Sequence, residues 1–186
     1  MDIKRFRYNH ISEADRCRLG DLLRCVWEDI NTREVHPEEM DAMSFCAVDG
    51  DRFTGYAGVI SWELRIRGEV FKMGGLSCVC TYPQYRRAGI GTALVRKATE
   101  WMLQGNRFDL GLFTCSRDHT PFYENTGLWK RSPDVVLKES DREGAYVSDR
   151  LHLHVFHLLI SPKAKLYAGN FRNTVINLNF PEGKFI

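Results

Sequence analysis

The sequence predicts an α+β protein in three layers: a mixed, mostly antiparallel central sheet with helices flanking it. Three observations lead there. Between Ser44 and Thr81, strand-like runs follow one another across short turns, the grammar of an antiparallel meander. The last run, Leu76 to Thr81, feeds a glycine-bearing loop and then an amphipathic helix. A further apolar run, Phe108 to Cys115, follows that helix. A strand, helix and strand in this order close as a right-handed crossover, which makes the fourth and fifth strands parallel.

The elements are justified in turn. Residues 3–8 predict a short first strand. Ser12, with Asp15 three residues on, marks a helix start, and Leu19, Leu22, Leu23, Val26 and Trp27 carry its apolar stripe to about Asp29. Asn31 to Met43 reads as a loop or short helix. Its surroundings offer Asp29, Glu34, Glu38 and Glu39 as amine binders, against the plainer reading of a solvated surface loop. Ser44 to Val48 pairs with Thr54 to Leu64 across Asp49-Gly50-Asp51, and Arg67-Gly68-Glu69 turns the chain into Val70 to Thr81. Pro83 biases Tyr82 away from helix. Thr92 to Leu103 is the next helix, with Ala93, Leu94, Ala98, Trp101 and Met102 on one face. Thr120 to Thr126 is a short helix stopped by Gly127. Val135 to Lys138 and Tyr146 to Leu159 predict a closing hairpin, and Thr174 to Leu178 is either a last strand or part of a tail. Residues 1–160 are read as one domain and 161–186 as an extension packed on it.

Composition narrows the function. In 186 residues, 44% hydrophobic and 27% charged, there is enough apolar matter for a real core. A net charge of +2 does not by itself argue for nucleic acid, and no long apolar run suggests a leader or a span, so the expectation is cytoplasmic. The six cysteines form no Cys-x-x-Cys pair and fit a reduced protein.

The chemistry concentrates in Arg86-Arg87-Ala88-Gly89-Ile90-Gly91-Thr92, between strand and helix. Glycines let backbone N–H groups curl around phosphate oxygens, the helix dipole favours an anion, and arginines add charge-assisted contacts. No lysine follows Gly91, which sets aside a Walker loop, and Leu94 stands where a dinucleotide fingerprint needs a small residue. What fits is Arg/Gln-x-x-Gly-x-Gly/Ala, through Arg86, Gly89 and Gly91. With Pro121-Phe122-Tyr123-Glu124-x-x-Gly127-Leu128 as a second signature, the stretch from about Phe53 to Trp129 resembles the Gcn5-related N-acetyltransferases, the GNAT superfamily.

The resemblance implies that the fourth and fifth strands splay and receive the pantetheine arm of acetyl-CoA as a pseudo-strand. Val79, Cys80 and Thr81 would be its main-chain partners, and the loop would hold its pyrophosphate. Tyr123 carries over as general acid. Ser116 stands where the family often has a cofactor-binding asparagine. The strand text is similar to aminoglycoside 2′-N-acetyltransferases, but Ser77 replaces an acidic residue of that branch. The chain also ends Gly183-Lys184-Phe185-Ile186 where that branch has Gly-Asp-x-Trp, which argues against a polycationic acceptor.

The implied reaction is direct attack of a small-molecule amine on the thioester. An alkyl ammonium of pKa ~10.4 must first lose a proton, which costs ~4.6 kcal/mol at pH 7 without help. Glu63, Asp118, His119 and Asp29 are base candidates, and Asp118 reads equally as a helix N-cap. Asp29, Ser77, Asp118 and His119 form the expected acceptor-binding set. No metal, nucleic acid or membrane partner is expected, and a homodimer is one option for assembly. The alternatives are an acetyl-CoA sensor without turnover, and a metal site on His152, His154 and His157.

Overall fold

The computed structural model describes residues 1–27, 34–126 and 128–186. They divide into two units, one of Met1–Ser61 with Leu76–Trp101, the other of Trp62–Gly75 with Met102–Ile186. The predicted residue Asp29, the predicted stop at Gly127 and the start of the loop at Asn31 lie outside the described residues.

In the first unit, β1 (Asp2–Arg7) pairs antiparallel with β2 (Met43–Asp49), which pairs antiparallel with β3 (Arg52–Ile66). The end of β4 (Glu69–Thr81) completes its part of the sheet, in the order β1-β2-β3-β4. Helix α1 (Glu13–Arg24) opens as expected, with the Ser12 hydroxyl accepting from the Asp15 N–H. It ends before Asp29, however. The N–H groups of Val26 and Trp27 both turn back onto the Leu23 carbonyl, at 3.0 and 2.8 Å, and Trp27 is left exposed. Leu19, Leu22 and Leu23 of its stripe are buried, each stabilising by roughly 1.5–3 kcal/mol.

Helix α2 (Ile90–Leu103) begins two residues earlier than its periodicity suggested, because the Gly89 carbonyl already accepts from the Ala93 N–H at 3.0 Å. Ile90, Leu94, Val95 and Ala98 form its buried face. That face lies close to the sheet because β3 presents Gly55 beneath it. A Cβ there would stand 2.7 Å from Ile90 Cγ2 and 2.8 Å from Leu94 Cδ1.

In the second unit the strand order is β3-β4-β5-β8-β6, with β5 at Leu110–Ser116, β6 at Lys130–Arg131 and β8 at Leu153–Leu159. The predicted parallel pair is present: Met73, Gly74 and Gly75 of β4 face Leu110, Gly111 and Leu112 of β5. Helix α3 spans Thr120–Thr126, as read from the sequence. Phe71, Phe113, Phe156 and Leu110 centre this unit's core.

The predicted closing hairpin does not form. Strand β7 (Val135–Lys138) instead pairs in parallel with β9 (Thr174–Asn177), and a single bridge, Lys138 to Val147, remains of the expected pairing. The reason is local. Residues 147–153 commit backbone groups to turns, with Leu151 bonding Val147, His152 bonding Asp149 and Leu153 bonding Ser148. Strand β9 and the short helix α4 (Pro162–Leu166) make the C-terminal segment ordered, and the Trp62 indole N–H ties it down at the Leu178 carbonyl, 2.8 Å away. Among the described residues no helix is long and apolar enough to cross a membrane.

Candidate active site

The glycine loop is built within the first unit. The Tyr82 N–H donates to the Thr54 carbonyl at 2.8 Å, fixing the strand end. Pro83–Tyr85 then forms one 3-10 turn, and the Tyr85 hydroxyl donates to Asp49 at 2.8 Å. Beyond this anchored turn, Arg87 and Gly89 adopt left-handed backbone, φ 66° and 77°, which curls the chain into α2.

Gly89 stands at the N-cap position, where it has no side-chain oxygen to offer the first amides of the helix. The N–H groups of Ile90, Gly91 and Thr92 precede the first intrahelical donor, Ala93. Space above Gly89 is open, with nothing within 4 Å of a Cβ placed there. Arg86, Arg87 and Ala88 are exposed, and among the described residues neither arginine has an ion-pair partner. These features suit a phosphate-bearing ligand: helix amides that make no intrahelical bond, two guanidiniums and open space above Gly89.

The strand that leads to the loop carries its own irregularity. Cys78 sits inside β4 with φ 52°, a conformation that costs a non-glycine residue about 1–2 kcal/mol. Such a kink re-aims the peptide groups of its neighbours Ser77 and Val79. Ser77, Val79 and Thr81 are half-buried, and the Ser77 hydroxyl lies 3.6 Å from the Cys78 sulfur. Cys80 is buried, and burial above all pushes its thiol far up, as it does that of Cys46. Neither is primed as a nucleophile.

One polar cluster of this unit escaped sequence reading. His36 Nε2 lies 2.8 Å from the Tyr56 hydroxyl, which lies 3.0 Å from the Ser44 hydroxyl, and all three are buried. Burial chiefly pushes the Tyr56 phenol upward, with Cys46 and Cys78 adding to it and Ser44 opposing. Gly58 makes room, since a Cβ there would meet His36 Nε2 at 2.7 Å. The only hint in sequence is a glycine facing aromatic neighbours in a strand, which is too common to stand out.

Glu34, Glu38 and Glu39 are exposed in the first unit and Asp29 is not described; the remaining predicted residues belong to the second unit. Ser116 closes β5, exposed, with its hydroxyl 2.7 Å from His119 Nδ1. Asp118 is exposed within the 3-10 turn Arg117–His119 that leads into α3, whose first residue is Thr120. Glu63 is exposed on β3. Tyr123 is 8% exposed on α3, its ring 4.5 Å from Phe113, 4.8 Å from Phe122 and 5.8 Å from Phe156. That aromatic packing locks the ring's orientation. Among the described residues no three His, Cys, Asp or Glu side chains gather as a metal site. His154 and His157 instead have Thr120 and Ser132 hydroxyls at their Nδ1 atoms, at 2.7 and 2.5 Å.

Comparison with known proteins gives this geometry a context. A family model described as an acetyltransferase (GNAT) domain matches residues 7–131. The chain is similar to N-alpha-acetyltransferase 30 of Xenopus laevis, 24% identical over 140 residues that cover 64% of this chain and 50% of that protein. Against the Homo sapiens form it is 24% identical over 127 residues, covering 64% of this chain and 34% of the relative. The chain thus spans half or less of the length of these curated relatives. Among solved structures, Escherichia coli ElaA matches with a TM-score of 0.60 at 12% identity, over 84% of this chain and 98% of that one. An aminoglycoside 6′-N-acetyltransferase complexed with coenzyme A matches with a TM-score of 0.59 at 18% identity, over 87% and 98%. At such identities the likeness shows the fold, and it agrees with the mixed sheet and parallel central pair expected from the sequence.

Proposed function

The chain belongs to the GNAT acetyltransferase family, and on that premise we propose that it transfers an acetyl group from acetyl-CoA to a primary amine. The observation that carries the reading is the loop: a glycine N-cap without a side chain, helix amides that precede the first intrahelical donor, and two exposed arginines that have no ion-pair partner among the described residues. The acceptor is an amine on a small molecule or at a peptide N-terminus, the latter suggested by the N-alpha-acetyltransferase relatives. Residues 161–186 are read as part of the same cytoplasmic enzyme, which works without a metal.

Acetyl-CoA would supply the acetyl group already activated as a thioester. The amides of Ile90, Gly91 and Thr92, with Arg86 and Arg87, would bind its diphosphate. Backbone groups of Val79, Cys80 and Thr81 would align the pantetheine amides, and the peptide N–H groups re-aimed by the Cys78 kink are suited to meet negative charge on the acetyl oxygen. The neutral amine would attack the carbonyl carbon, forming the C–N bond as the C–S bond breaks, and the proton it sheds would pass to a base, for which Glu63, Asp118, His119 and Asp29 are the candidates. A thiolate of pKa ~8.5 is a fair leaving group, and the Tyr123 phenol would return its proton. Ser116, Ser77, Asp118 and His119 remain the residues proposed to line cofactor and acceptor.

The test is CoA release, followed with a thiol reagent, across a panel of small amines and peptides with free N-termini. Acetyl transfer to at least one amine class supports the reading. Saturable acetyl-CoA binding with no release above hydrolysis for any of them would favour a sensor instead.

A further inference from the structure

We propose that the second unit holds an oxyanion pocket, built from residues other than those of the glycine loop, that binds an anionic group of the acceptor, a carboxylate or its like. A cavity of about 190 Å³ is lined by Arg117, Arg131, Ser132, Asp149, His152 and His154 among others. Three segments distant in sequence bring these groups together. Arg117 follows Ser116 at the end of β5, Arg131 lies on β6 opposite Phe156, and β8 sets His154 opposite Cys115.

The charges in this cavity are not spent on one another. Among the described residues neither Arg117 nor Arg131 has a carboxylate within ion-pair distance, although Asp149 lines the same space. Arg142, by contrast, holds both Glu139 and Glu182 at 3.3 Å. Two guanidiniums against one carboxylate leave the lining with a surplus positive charge. Each guanidinium presents a planar fork that matches a carboxylate or phosphate. The His154 ring is oriented by the Thr120 hydroxyl at its Nδ1, which leaves Nε2 for a second partner. A water takes ~30 Å³, so the volume suits an oxyanion with the first atoms of its scaffold.

Position gives the pocket its meaning, resting here on the proposed acetyl transfer. It opens at the end of β5, beside Ser116 and just before the helix that carries Tyr123. An amine tethered there by an acid group is an amino acid, a peptide or a phosphorylated amine, and not a polycation.

The experiment reads the pocket and the reaction separately. Proton NMR of the histidine Cε1–H signals, with His152 and His154 identified by His152→Gln and His154→Gln, is followed as inorganic phosphate is added. Those two signals should shift saturably, and Arg117→Gln and Arg131→Gln should each raise the apparent Kd roughly ten-fold. Both arginines are exposed, so the variants should keep the fold, which circular dichroism checks. In turnover, matched amines with and without a carboxylate should differ about ten-fold or more in kcat/KM, and the Arg117→Gln/Arg131→Gln variant should lose the difference. Unmoved histidine signals, or the same shifts in the double variant, overturn the pocket. A loss of CoA affinity in the arginine variants that disappears with dephospho-CoA overturns the acceptor assignment in favour of the coenzyme phosphate. Absence of transfer to every amine defeats the transferase reading alone, since the phosphate titration still decides the pocket.

Discussion

Replacing Gly55 by alanine tests how the sheet seats the helix that carries the loop. The new methyl would stand 2.7 Å from Ile90 Cγ2, 2.8 Å from Leu94 Cδ1 and 3.2 Å from the Cys80 carbonyl oxygen. Comfortable carbon contacts begin near ~3.5 Å, so about 0.7–0.8 Å must be found. Leu94 can swing its terminal methyl aside. Ile90 can do so only by leaving its strongly preferred χ1 rotamer, because Cγ2 sits on a β-branch, and the Cys80 carbonyl belongs to a strand. The helix start must therefore lift. Overpacking of this kind costs ~1–3 kcal/mol, and at ~2–4 °C per kcal/mol for a chain of this size the melting temperature should fall by ~2–12 °C. Because Ile90 directly follows Gly89, the same lift displaces the amides proposed to bind the diphosphate, and CoA should bind roughly ten-fold more weakly. Thermal melts and calorimetric titration with CoA read the two effects. A melting point within ~1 °C of wild type together with an unchanged Kd would refute the idea that Gly55 seats the loop.

Three further outcomes are expected. Tyr123→Phe keeps the ring against Phe113 and should leave coenzyme affinity nearly unaltered while kcat falls ~10²-fold or more; equal loss of both removes the general-acid role. Burial pushes the Asp15 carboxyl up, but hydrogen bonds from Lys4, Arg18 and the Ser12 cap outweigh it and hold the group below its usual range. A depressed carboxylate stabilises the fold above its unfolded pKa and loses that contribution as pH falls through the folded value. Asp15→Asn should therefore lower the melting point at pH 7, by an amount that shrinks below pH ~4; a gap that persists at pH ~2 contradicts this. The Glu139 carboxylate, fully buried, accepts from the N–H groups of Tyr146 and Gly183, and its loss leaves two donors unmet. Glu139→Ala should cost ~2–5 kcal/mol in denaturant titration and expose the C-terminal segment to protease, whereas a wild-type midpoint would show that water replaces the carboxylate freely.

The sheet and its loop were legible because each carries a local signal. The Asp49-Gly50-Asp51 and Arg67-Gly68-Glu69 turns announce the β2–β4 meander, and Arg87 to Gly91 announces a helix start after a strand. The α1 end was not, since Val26 and Trp27 continue the apolar spacing while their amides turn back on Leu23. The β7–β9 pair was hidden for another reason. Parallel pairing between segments about forty residues apart leaves no turn signature, and an adjacent strand-like run, Tyr146 onward, competes for the assignment. Of the proposed site, Tyr123 and the loop residues were read from motifs. The kink at Cys78 and the His36–Tyr56–Ser44 cluster depend on tertiary neighbours, which spacing alone does not encode.

The central claim concerns main-chain amides, so the most direct measurement observes them. In ¹H–¹⁵N NMR of the labelled protein, stoichiometric CoA should produce its largest downfield amide shifts within Arg87 to Thr92, and pantetheine without the diphosphate should not. If those amides stay where they are while the coenzyme demonstrably binds, the diphosphate is held elsewhere and the function proposed for this loop is wrong.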